Sequence, residues 1–119
     1  MKVILTTESG MSAIFLKRRI ISAVRGEIEG VDIETWSHTK SRDNFDILFH
    51  NVTQYVNNPE KNVLFRVEVE DTEVVLSSAW WTTKPKPSNE MISLHIGRLT
   101  EMLLVHFSFN FIRFGIVDF

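Results

Sequence analysis

The sequence predicts a two-layer α+β domain, with three helices covering one side of a mixed sheet of about five strands in the order β-α-β-α-β-β-α-β. Three observations carry that expectation. Apolar residues recur at steps of three and four in three segments, they alternate at period two in several others, and no repeat, low-complexity tract or linker divides the 119 residues. With 44% hydrophobic and 24% charged side chains, residues 1–119 read as a single globular domain. The absence of cysteine excludes a disulfide scaffold and a thiolate zinc site. The opening MKVILTTESG has one basic residue and too short an apolar run for a secretory signal, and no stretch reaches the roughly 18 apolar residues of a membrane span. A soluble cytoplasmic protein, away from membranes, is the expectation.

Val3 to Thr6 is predicted as a β-branched strand, and TESGMS supplies hydroxyls and a glycine for a turn and a helix start. Met11, Ile14, Phe15, Ile21 and Val24, flanked by Ala13, Leu16 and Ile20, make a broad apolar stripe that ends at Gly26, with Lys17, Arg18, Arg19 and Arg25 on the wet side. VDIETW alternates as a strand over 31–36, with Asp32, Glu34 and Trp36 on one face. From Ser41, the spacing of Phe45, Leu48, Phe49, Val52 and Val56 predicts a second helix, stopped by Asn57, Asn58 and Pro59. Val63 to Glu70 and Glu73 to Thr82 form a hairpin around Asp71-Thr72, which sets Phe65, Val67, Val69, Val74, Leu76 and Trp80 on the core face. KPKPSN is a stiff loop with Ser88 or Asn89 as cap. Ile92, Ile96, Leu99, Met102 and Leu103 mark the third helix, and Phe107, Phe109 and Phe111 alternate into a last strand ending near Phe119.

Helices on one side leave the other sheet face open. Asp32, Glu34, Trp36, Arg66, Glu68, Glu70 and Trp81 belong there, with Asp71 and Glu73 at the hairpin tip. Eight of the fifteen acids fall in the two segments 27–34 and 68–73. The candidate function is therefore binding, because the chemistry of catalysis is not in the sequence. His38, His50, His95 and His106 never recur at metal-ligand spacing, and Ser77 and Ser78 lack a nucleophile elbow. Glu68 and Glu70 have no lysine beside them of the kind a metal-dependent nuclease uses. Neither a metal nor a cofactor is expected, nor any catalytic residue. The loop TTESGMS lacks the glycine spacing of a phosphate cradle and is taken as a capping loop. A net charge of -2 and the acidic balance argue against nucleic acid as the main partner. FSFNFIRF does alternate aromatics in the manner of base-stacking sheets, although such a pattern also suits a buried strand. Asn51-Val52-Thr53 matches a glycosylation sequon by chance.

The small cysteine-free α+β organisation, the acidic segments EIEGVDIE and EVEDTE, Trp36 and Trp80-Trp81, and the lack of an active-site motif resemble the immunity proteins of bacterial polymorphic toxin systems, in particular those of contact-dependent growth inhibition. The resemblance implies a cytoplasmic, non-enzymatic inhibitor that binds the C-terminal toxin domain of a large exoprotein, often a basic nuclease. Two other classes use compatible physics: a small-ligand or nucleic-acid-binding module with a pocket between helices and sheet, and a phage-encoded inhibitor of a bacterial defence protein.

Overall fold

A computed structural model describes residues 1–52 and 62–118 of the chain. Its strands are β1 (Lys2–Thr6), β2 (Trp36–Lys40), β3 (Asp46–His50), β4 (Leu64–Glu70), β5 (Glu73–Ala79) and β6 (Arg113–Val117); its helices are α1 (Gly10–Val24) and α2 (Asn89–Phe107). The strands form one sheet in the order β2-β3-β4-β5-β1-β6, and every neighbouring pair is antiparallel. The α+β class is as the sequence predicts. The sheet has six antiparallel strands where a mixed sheet of five was expected, and two helices stand among the described residues where three were expected.

Strand alternation sorts the side chains onto two faces. Val3, Leu5, Leu48, Phe65, Val67, Val74 and Leu76 fall on one face and join Ala13, Leu16 and Ile20 of α1 and Ile96, Leu99 and Leu103 of α2 in a continuous core. Each helix starts at a serine: Ser9 Oγ accepts from Ser12 N–H and Ser88 Oγ from Met91 N–H, satisfying donors that a helix start leaves open. α1 ends before Gly26, whose φ of 74 suits a residue without Cβ. Thr7 ties the first turn of the fold to the β4–β5 tip, donating from both N–H and Oγ1 to the Thr72 carbonyl at 2.8 and 2.7 Å.

The hairpin register is the predicted one, with Val67 opposite Leu76, Val69 opposite Val74 and Glu70 opposite Glu73. Asp71 takes φ 53 in the two-residue connection, a left-handed conformation that Asp tolerates better than most residues. Three other expectations are corrected. The strand expected over 31–36 begins only at Trp36, because ladder pairing with β3 starts there, opposite His50; Asp32 and Glu34 lie in the loop before it. The described part of the helix expected from Ser41 is a tight loop and strand β3, hairpinned to β2 through Asn44 at φ 67. The rest of that prediction, over 53–61, lies outside the described residues. The C-terminal strand does not begin at Phe107, which is the last buried residue of α2; a 3-10 turn, Ser108–Asn110, intervenes and β6 opens at Arg113.

Candidate functional site

Both helices pack on the face that carries Phe65 and Leu76, so the other face, with Leu64, Arg66, Glu68 and Glu70 of β4 and Glu73, Val75 and Ser77 of β5, is left without a helix among the described residues. Of the predicted site residues, Arg66, Glu68, Glu70 and Glu73 share this face, Asp71 forms its tip and Trp81 stands at its other end, 39% exposed. Apolar residues on this face are not all wet: Ile47, Leu64 and Val75 are buried. Ile47 and Leu64 floor a groove of about 540 Å³ whose walls include Phe45, Arg66, Trp80 and Trp81. The β2–β3 loop aims Phe45 at this groove, because Ser41 accepts at Oγ from Phe45 N–H and donates from its own N–H to the Phe45 carbonyl. The Arg66 guanidinium carbon lies 3.3 Å from the Phe45 ring centroid, and Arg66 Nε is 2.8 Å from Glu68 Oε1. An arginine held between a ring and a carboxylate is preorganised, so little side-chain freedom remains to be lost on contact.

At the hairpin tip, acids meet exposed apolar surface. Thr7 and Glu8 line a groove of about 470 Å³ with Met11, Phe15, Phe109 and Ile112, and Thr7 is the residue bonded to Thr72 in the tip. Met11 is 82% exposed, Phe15 60%, and Phe109 is fully exposed. The sequence set Met11 and Phe15 in the apolar stripe of the first helix and Phe109 in an alternating last strand; the structure exposes all three. The α1 stripe is broader than one buried face: positions 13, 16, 20, 23 and 24 are buried, so 11, 14 and 15 must face elsewhere.

Asp32, Glu34 and Trp36 belong to a different place. Trp36 is only 3% exposed and sits in the core, its ring 5.4 Å from His50 and 6.0 Å from Phe65, so the expectation of an exposed Trp36 is corrected. Its side chain points to the helix side because it shares a strand face with His50, directly opposite, and with Leu48. Asp32 and Glu34 are exposed and, with Arg98, Glu101 and His106 of α2, rim a cleft of about 440 Å³ over Trp36 and His50. Trp80 also departs from the core position expected for it: β5 ends at Ala79, and Trp80 is half-buried at the sheet end with Lys86 Nζ 5.1 Å from its ring centroid.

Two further polar clusters lie on the helix side, one buried at His50 and His95 and one partly exposed around Asp46. His50 and His95, far apart in sequence, meet with ring centroids 6.2 Å apart, and His95 Nδ1–H donates to the Met91 carbonyl at 2.8 Å. Burial, then the charges of Arg98 and His95, pull the His50 pKa down to about 4; burial also lowers that of His95, against the bond to Met91. Asp46 is ion-paired with Lys17 at 3.1 Å and Lys40 at 3.3 Å, and its Oδ1 accepts a hydrogen bond from His38 Nε2 at 2.8 Å. Burial raises its pKa, but these three partners outweigh it and hold the carboxyl below its usual range. The cluster ties α1 to β2 and β3. Among the described residues, no group of three or more His, Asp or Glu is placed to hold a metal ion, and no helix is long and apolar enough to cross a membrane. Comparison with protein-family models, curated proteins and solved structures finds no match in any of the three.

Proposed function

We propose that this chain is a non-catalytic inhibitor, an immunity-type protein that neutralises a basic bacterial toxin domain by seating it on the helix-free sheet face and the hairpin tip. The observation that supports this most is the gathering of Glu68, Glu70, Asp71 and Glu73 at one end of a sheet face that no described helix covers and that also carries Arg66 and Trp81. Acids grouped this way accelerate encounter with a cationic partner, whereas the aromatic groove at Phe45 and Trp81 and the exposed Met11, Phe15 and Phe109 supply apolar surface that slows dissociation. Exposed aromatics beside like-signed charge are characteristic of contact surfaces, because they are costly to leave in water without a use. In this reading the inhibitor works by occlusion and needs no cofactor or chemistry of its own.

The test is co-expression with basic toxin C-terminal domains from polymorphic toxin systems, scored by rescue of growth. A cognate domain should be neutralised by the parent chain, and the double variant Glu68→Lys, Glu70→Lys should lose rescue while still folding and unfolding cooperatively. Undiminished rescue by that folded variant would move the contact away from this face, and failure to rescue against every domain tried would count against the inhibitor reading itself.

A further inference from the structure

We propose that a second copy of this chain pairs with the outer edge of β6, joining two six-stranded sheets into one of twelve strands. β6 is the last strand of the sheet order, hydrogen-bonded to β1 on one side and to no described strand on the other. An edge of this kind presents a row of backbone donors and acceptors on which another strand can pair, and proteins normally guard it with lysine, proline or an inward charge. β6 has none of these between its ends: its sequence is RFGIV, and Arg113 is the one charged residue from 107 to 117. Ile116, on the helix side opposite Val3, is 49% exposed at this edge.

The pattern of the strand favours itself as the occupant. Full antiparallel overlap of Arg113–Val117 with a second Arg113–Val117 is centred on Gly115, which would lie on the two-fold axis against its own copy, with no side chain on either strand at the crossing. That register sets Phe114 of each copy opposite Ile116 of the other on the helix side, covering the exposed isoleucine with an aromatic partner of the kind that stabilises sheets. The basic partner proposed above is directed to acids; this edge is nearly uncharged, and the two contacts therefore draw on different chemistry.

Sedimentation equilibrium of the purified chain over a wide concentration range tests the pairing, beside two variants. The expected result is a reversible rise from the 13.8 kDa monomer toward twice that mass. Ile116→Lys, placing a charge on the edge, should raise the dimer dissociation constant by about tenfold or more. Gly115→Cys gives the chain its first thiol, and a Cβ at that position meets no atom within 4 Å in the monomer, so the variant should fold. A short thiol cross-linker should then join two copies through position 115. A chain that stays monomeric at all concentrations overturns the proposal, as does a dimer that is indifferent to Ile116→Lys and not cross-linked at 115. Because neither substitution touches Glu68 or Glu70, the outcome is independent of the inhibitor test.

Discussion

Trp36 and Trp81 differ by their surroundings, and that difference fixes what each can do. Trp36 fills the space between His50 and Phe65 at 3% exposure, so truncation to alanine opens a cavity in the core and is expected to cost about 3–5 kcal/mol of folding stability. Trp81, at 39% exposure, should cost under about 1 kcal/mol in the same denaturant melts, and its loss should be felt in partner binding instead. Equal losses in the two would mean that Trp81 is covered in solution. His50 adds a pH dependence. Its folded pKa of about 4 lies below the ordinary 6.5, so the folded state disfavours the proton; stability is complete above pH 6.5 and declines as pH falls toward 4. The decline should be on the order of 3 kcal/mol, with His95 acting in the same direction. Asp46, also lowered, adds its loss only in the more acidic carboxylate range. Urea melts stepped through this window should show the fall in the parent chain and a shallower one in His50→Phe, whose ring has nothing to protonate.

Among the elements, the β4–β5 hairpin carries an unfavourable pair in the middle of the candidate site. Glu70 and Glu73 are directly opposite each other at the tip, and like charges so placed destabilise a ladder by a few tenths of a kcal/mol. Glu70→Lys should therefore raise the melting temperature slightly, by pairing with Glu73, while it weakens binding to a basic partner; a lower melting temperature would mean that Glu70 has a structural role on this face. This hairpin was legible in the sequence because alternation on both sides of a two-residue connection leaves one register that turns Val67, Val69, Val74 and Leu76 together toward the core. β3 was not legible, since DILFH has apolar residues on both faces and, with Phe45 and Val52, mimics the step of a helix. β2 failed for the opposite reason: WSHTK buries Trp36 alone and places its polar residues by pairing with β3, whereas the alternating VDIE before it pairs with no described strand. Local pattern records burial on one face well, and it is silent on which segment a distant strand selects.

At the scale of the whole molecule the two acidic segments, expected on one sheet face, are held apart by the fold. Glu70 and Glu73 lie at the end of the sheet reached by Thr6 and Arg113; Asp32 and Glu34 precede Trp36, which pairs with His50 at the opposite end, on the outermost strand. The seven residues of β4 alone span roughly 20 Å at about 3.3 Å per residue. That is more than twice the Debye length of about 8 Å at physiological ionic strength. A cationic partner docking on the helix-free face would feel both clusters from afar in dilute salt, but only the nearer one once the field of the other is screened. Charge reversal of Glu68 and Glu70 should accordingly slow association with such a partner at both low and physiological salt. Reversal of Asp32 and Glu34 should slow it at low salt alone, leaving the dissociation rate unchanged. Stopped-flow association measured for both double variants at the two salt concentrations separates the cases. If the Asp32, Glu34 variant lost as much at physiological salt as the other, the partner would have to reach the cleft beside α2, and the docking surface would extend around the β2 edge of the sheet.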